Sequence, residues 1–229
     1  MKNETVEIPP ELLAALRQIS AQYCTEAGGS HGPDHTERVL QNALAIGRSV
    51  GARLDILIPA ALLHDIGRSE ESRSQGALCH ADLGADMAEP ILRELGYSEE
   101  DQVAICHCIR AHRFRGSTEP ETIEANIIFD ADKLDSIGAI GIGRAFLFAG
   151  QIGARLHNAE LDHTRTKAYS GEDTAYREFQ VKMSKVRGQM LTAVGRQVAR
   201  KRHEFMETFF AELNLEIYGS FLQVEAEGD

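Results

Sequence analysis

Apolar positions recur at helical spacing along almost the whole chain, and no convincing run of β-branched residues is bounded by hairpin turns, so the pattern predicts an all-α fold. A first helix begins near Pro9-Pro10, with Leu12, Leu13, Leu16 and Ile19 on one side, and Gly28-Gly29 ends that region. A second starts at Pro33-Asp34 and carries Val39, Ala43 and Ile46. A third runs from about Ile56 to His64 and is closed by Gly67. The polar stretch Glu70 to Gly76 reads as a loop. Helices over about 81–95 and 99–112 follow, joined by Gly96-Tyr97-Ser98. Pro120 opens a long apolar helix through Ile123, Ile127, Ala131 and Leu134 that continues past Gly138. Residues 155–173 are polar and aperiodic, a length that suits a functional lid or a mobile connection. The last pattern, about 174–215, contains Phe179, Met183, Val186, Met190, Val194, Val198, Phe205 and Phe209, with Gly188 and Gly195 as break points.

With 229 residues, 43% of them hydrophobic and 26% charged, the chain can bury one substantial core. The expectation is a single domain over 1–229, its core about 29–150, with a helical extension of about 174–216 packing on it. The net charge of -11 repels a nucleic-acid backbone or an anionic membrane at long range. A phosphate-bearing substrate must therefore meet local positive charge, which bound metal would supply. No stretch approaches the roughly 18 uncharged apolar residues of a membrane span, and the N-terminus lacks a signal-peptide core, so a cytoplasmic protein is expected. Cys24, Cys79, Cys106 and Cys108 form no CxxC pair, and Cys106 and Cys108 point to nearly opposite sides of a helix, which favours reduced thiols and core packing.

The informative segment is AALLHDIGR, residues 60–68, where a histidine and a carboxylate sit side by side at the end of an apolar helix. Taken alone, such a dipeptide reads more simply as a helix-end carboxylate and a satisfied core histidine. Its context overturns that reading, because His35, His112 and Asp132 also lie in apolar helical settings, and interiors hold ionisable groups only when these pair or bind metal. His35, His64, Asp65 and Asp132 together offer two nitrogen and two oxygen ligands with open positions for water and a substrate oxygen. Adjacent ligands approach from different sides, which suits Asp65 to bridging two ions. His80 opens one helix and His112 closes the next, making them candidates for a second ion or, equally, for a solvent-facing or substrate-binding role.

These residues resemble the HD-domain superfamily, whose ordered signature of His, His-Asp and distant Asp is matched by His35, His64-Asp65 and Asp132. HGPDHTERV, AALLHDIG, PETIEANIIFDADKLDSIGAIGIGRAF and TAVGRQVARKRHEFMETF resemble a bacterial and archaeal group of small HD hydrolases over roughly residues 29–216. The resemblance implies a single-domain HD-type helical bundle with the metal site at its centre. It also implies metal-dependent phosphohydrolase activity with one or two divalent ions (Mn, Fe, Ni, Co or Zn, or Mg) on a small phosphorylated substrate. Some relatives cleave nucleoside triphosphates to monophosphate and pyrophosphate, so a nucleotide is the expected substrate class. HADLGADMAEPIL and IRAHRFRG resemble the extra histidine segments of binuclear HD proteins, which include a di-iron oxygenase branch. That branch is the principal rival reading, and a nucleotide-binding regulatory module without turnover is the third. RAHRFRGSTEP stands where cyclic-dinucleotide enzymes carry their GYP motif.

Besides Asp65, Lys133 and Arg38 are the expected catalytic side chains, as cations that neutralise phosphate charge, with an ordinary ion pair as the alternative for each. Arg113, Arg144 and Lys182 share that ambiguity. Asp135, three residues after Asp132, is placed to orient a ligand or pair with a cation. Glu37 and Glu70 are conceivable bases, and His31 reads as substrate-facing or behind the ligands because Gly32-Pro33 separates it from His35. His107, His157, His163 and His203 read as structural or surface residues. The apolar C-terminal helix offers a surface for a homo-oligomer.

Overall fold

The computed structural model describes residues 8–24, 32–113 and 118–219. Among these the chain is all-α and contains no strand, as the periodicity requires. His31 and the Gly28-Gly29 stop lie outside the described residues.

The described chain falls into two compact units, one formed by residues up to Asp135 together with Met190–Arg196, the other by Ser136–Gln189 and the residues from Gln197 on. In the first, α1 (Pro10–Cys24), α2 (Pro33–Val50), α3 (Leu54–Leu63), α4 (Arg68–Arg73), α5 (His80–Glu94), α6 (Glu99–Ala111) and α7 (Ile123–Asp135) follow in order. Helix α3 is apolar at every position but Asp55, and Leu54 and every residue from Ile56 to Leu63 are buried, which places it at the core of this unit. It packs against α2, α6 and α7, while α5 packs on α6. Helix α2 buries His35, Val39, Ala43 and Ile46 along one face at the spacing its sequence shows. Pro33 stands in its first turn, and Gly51, at φ 70°, caps its end in the left-handed region.

Three expectations change. The polar stretch Glu70 to Gly76 is not wholly loop. Arg68–Arg73 forms the short helix α4, whose i,i+3 spacing puts Arg68 and Glu71 on one face. The apolar helix after Pro120 does not pass Gly138, since α7 ends at Asp135 and α8 (Gly138–Gln151) begins afresh with Gly138 at φ 76°. In the last pattern the chain breaks around Gly188 but not at Gly195, which is the third residue of α11 (Ala193–Tyr218).

Asp130 in α7 is fully buried and accepts hydrogen bonds from the Leu191 and Thr192 amides, both at 2.8 Å, and from Thr192 Oγ1 at 2.6 Å. A buried carboxylate needs such partners, and these tie the segment Met190–Arg196 to the helix that carries Asp132.

In the second unit, α8 is followed by the turn-rich segment of residues 155–173, then α9 (Ala175–Glu178), a π-helical turn (Phe179–Met183), α10 (Ser184–Val186) and most of α11. The turn-rich segment is stitched by its own polar groups. Thr174 Oγ1 donates to Asn158 Oδ1 at 2.5 Å, and Arg177 donates to Asp173 Oδ1 and Thr166 Oγ1, both at 2.7 Å. Phe179 and Phe210 stack with centroids 4.7 Å apart in this unit's core.

Cys106 and Cys108 are buried, and burial pushes their thiols up to about 11 and about 12, the behaviour of packing residues. Among the described residues no helix is long and apolar enough to cross a membrane.

Candidate metal centre

All of the centre's side chains belong to the first unit. Helix α2 contributes His35 from its first turn, the end of α3 contributes His64 and Asp65, and α7 contributes Asp132. The chain can turn sharply after Asp65 and still meet α5 because residue 67 is glycine. A Cβ there would lie 2.4 Å from the His80 carbonyl oxygen and 2.8 Å from the Gly84 amide. That close approach brings His80, the first residue of α5, beside Asp65.

Each histidine is held by its Nδ1. His64 Nδ1 lies 2.7 Å from the Ala61 carbonyl and His112 Nδ1 lies 2.6 Å from the Ile109 carbonyl. His35 Nδ1 is 2.7 Å from Asp135 Oδ2, and His80 Nδ1 is 2.7 Å from Glu71 Oε2. Every one of these partners is an acceptor, so in each neutral ring Nδ1 carries the hydrogen and Nε2 turns a lone pair inward. The inward atoms converge in two pairs, His35 with His64 at 3.3 Å and His80 with His112 at 3.2 Å between Nε2 atoms.

Asp65 stands between the pairs. Its Oδ2 lies 3.6 Å from the Nε2 atoms of both His35 and His64, and its Oδ1 lies 3.5 Å from His80 Nε2 and 3.6 Å from His112 Nε2. Asp132 Oδ1 is 3.5 Å from His35 Nε2, while Lys133 Nζ holds its Oδ2 at 2.7 Å.

Burial pushes His64 down to about 4, with His112 and His35 acting in the same direction, so its ring is neutral at pH 7. Burial, together with Arg68, also brings His80 down to about 4. Burial alone would raise Asp65, yet His64 and Arg68 beside it hold its carboxyl well below the usual carboxylate range. Lys133 and His35 do the same for Asp132.

Facing lone pairs cannot hydrogen-bond each other, and with two carboxylates they make a concentration of donor electrons that a divalent cation relieves. The spacing suits one ion per pair, since two nitrogens each about 2.0–2.1 Å from a shared ion stand about 2.9–3.4 Å apart at angles between octahedral and tetrahedral. His35, His64 and Asp132 form one group whose ligand atoms lie within 4.8 Å of one another, and His64, Asp65 and His112 form another. The residues present fit a divalent metal.

Arg38 forks onto Asp135 through Nε at 2.6 Å and Nη2 at 3.0 Å, so it acts behind His35 and is ion-paired there. Lys133 is paired with Asp132 and lies 5.1 Å from the Phe129 ring centroid. Glu37 bonds Arg17 and Gln41 on an exposed surface, and exposed Glu70 pairs with Arg73, so neither is brought to the centre. His107 Nε2 accepts from the Glu121 amide and His157 Nε2 bonds Asn214, both structural contacts. Glu71, in the polar stretch 70–76, and Arg68, at the end of AALLHDIGR, carry no apolar pattern or histidine spacing that marks them in the sequence.

The model of the HD domain matches residues 34–137, a span that holds all six of these histidines and aspartates. The YpgQ protein of Bacillus subtilis is 32% identical over 208 residues, covering 89% of this chain and 93% of its own length. Its crystal structure in complex with ADP superposes with a TM-score of 0.69 at 29% identity, over 90% of this chain and 97% of that one. A HD-superfamily hydrolase from Bacillus thuringiensis superposes with a TM-score of 0.71 at 25% identity, over 91% of this chain and 97% of that one. Ribonuclease Y of Chloroflexus aurantiacus is 37% identical over 128 residues, 55% of this chain and 22% of its own.

Proposed function

This chain belongs to the HD-domain family, and we propose that it is a metal-dependent phosphohydrolase acting on a nucleotide or another small phosphate ester or anhydride. The observation that carries the proposal is the convergence of four imidazole Nε2 atoms in two pairs on the two oxygens of Asp65. His35, His64, Asp65 and Asp132 would hold the first divalent ion, and His80 and His112, with Asp65 shared, offer donors for a second. A divalent ion held there supplies a Lewis acid for a phosphoryl oxygen and acidifies a water, so no covalent enzyme intermediate is needed.

The chain's own residues do the rest. Asp135 fixes the tautomer and ring orientation of His35, and Arg38 anchors Asp135 in turn. Lys133 neutralises the outer oxygen of Asp132 and places an ammonium where phosphate charge would be met. Nucleotide as substrate class is supported by YpgQ having been crystallised with ADP. The chain's charge of -11 weighs against a nucleic-acid polymer.

His64→Ala and Asp65→Ala variants test the proposal. Both should lose metal-dependent release of phosphate or pyrophosphate while keeping their helix content, and undiminished turnover in a metal-depleted Asp65→Ala protein would refute it.

A further inference from the structure

The two histidine pairs are not equivalent, and the difference lies in a cation the protein itself supplies. From the first residue of α4, Arg68 forks onto Asp65, with Nε 2.8 Å from Oδ2 and Nη2 2.9 Å from Oδ1. The same Nη2 is 3.2 Å from His80 Nε2, the nitrogen whose lone pair faces inward because Nδ1 is committed to Glu71. Asp65 Oδ1, His80 Nε2 and His112 Nε2 all lie within 3.6 Å of one another. A guanidinium therefore already satisfies two of the three donors that a second ion would need. On the other side, Lys133 takes only the outer oxygen of Asp132 and leaves Oδ1 facing His35.

We propose that Arg68 and a second divalent ion compete for one seat, made by Asp65 Oδ1, His80 Nε2 and His112 Nε2. The proposal rests on the metal-centre reading above. Arg68 stays charged at any working pH, so its seat is cationic whether or not metal is present. Like charges exclude each other at this range, and a second ion enters only when Arg68 swings out. The side chain is 24% exposed, enough for such a movement at the end of a short helix. With Arg68 seated the protein holds one ion tightly, and removing the guanidinium makes it a two-ion protein.

Manganese titration followed by elemental analysis and electron paramagnetic resonance tests this on the full chain. Wild-type protein should bind one Mn tightly and a second at least about tenfold more weakly. Arg68→Ala should bind two, the second tightened by about 10- to 100-fold, with the spectrum of a coupled Mn pair. Arg68→Gln keeps most of the side chain's packing and should behave the same way, guarding against a folding defect. Arg68→Ala/His80→Ala should return to one ion. A single ion in both Arg68 variants would overturn the proposal, as would two equally tight ions in wild type that the variants leave unchanged. His35→Ala distinguishes the failures, because a wild type that binds no ion, or a His35→Ala protein with undiminished uptake, sinks the metal-centre reading itself.

Discussion

His35 and Asp135, 100 residues apart in sequence, meet at 2.7 Å between Nδ1 and Oδ2, with Arg38 forked onto the same carboxylate. The contact fixes the ring orientation of His35 and turns its other nitrogen inward. Replacing Asp135 by Asn keeps the shape but removes the charge behind His35 and half the anchor for Arg38. Metal affinity should fall by about 10- to 100-fold with helix content unchanged. Calorimetric manganese titration beside far-UV circular dichroism checks both parts.

Gly67→Ala should be costly although the added group is one methyl. Its Cβ meets backbone of His80 and Gly84, which cannot rotate away, so α5 must move and carry His80 from Asp65. A loss of about 1–3 kcal/mol in urea denaturation is expected, together with weaker uptake of a second ion even when Arg68 is absent.

The metal-free protein should lose stability as the pH falls from 7 towards 4. His64 has an ordinary value of 6.5 and is lowered to about 4 in the folded chain, so between those values the unfolded state takes up a proton that the folded state refuses. His80 adds to the loss in the same window. For His64 the full contribution is on the order of 3 kcal/mol, present above pH 6.5 and gone below 4. Asp65 and Asp132, held below 3.8, add a further loss only under still more acid conditions. Urea midpoints across pH 4–8 measure the slope, which His64→Gln should make shallower.

Much of this centre is legible in the amino-acid sequence. The 3.6-residue period finds α2, α3, α5 and α6, and ionisable residues at the ends of apolar helices stand out because burial without a partner is costly. That is why His35, His64, Asp65 and Asp132, and also His80 and His112, can be picked from the sequence, and the structure brings all six together. What stays hidden depends on tertiary contact. Arg68 and Glu71 sit in a run of charged residues with no apolar stripe, and the approach of α5 over Gly67 brings His80 to both of them. The break at Gly138 is equally invisible, because apolar positions continue on both sides and only the positive φ marks the stop. Asp130 resembles its neighbour Asp132 in sequence, yet it is committed to the Thr192 segment.

The central claim is tested most directly by stripping the protein with chelator, restoring Mn, Co, Ni, Mg or Fe singly, and following a nucleotide panel without oxygen. Release of phosphate or pyrophosphate should depend on the restored metal, proceed anaerobically and disappear in His64→Ala. Turnover that requires iron and consumes oxygen, or tight nucleotide binding with no product under any metal, would contradict it.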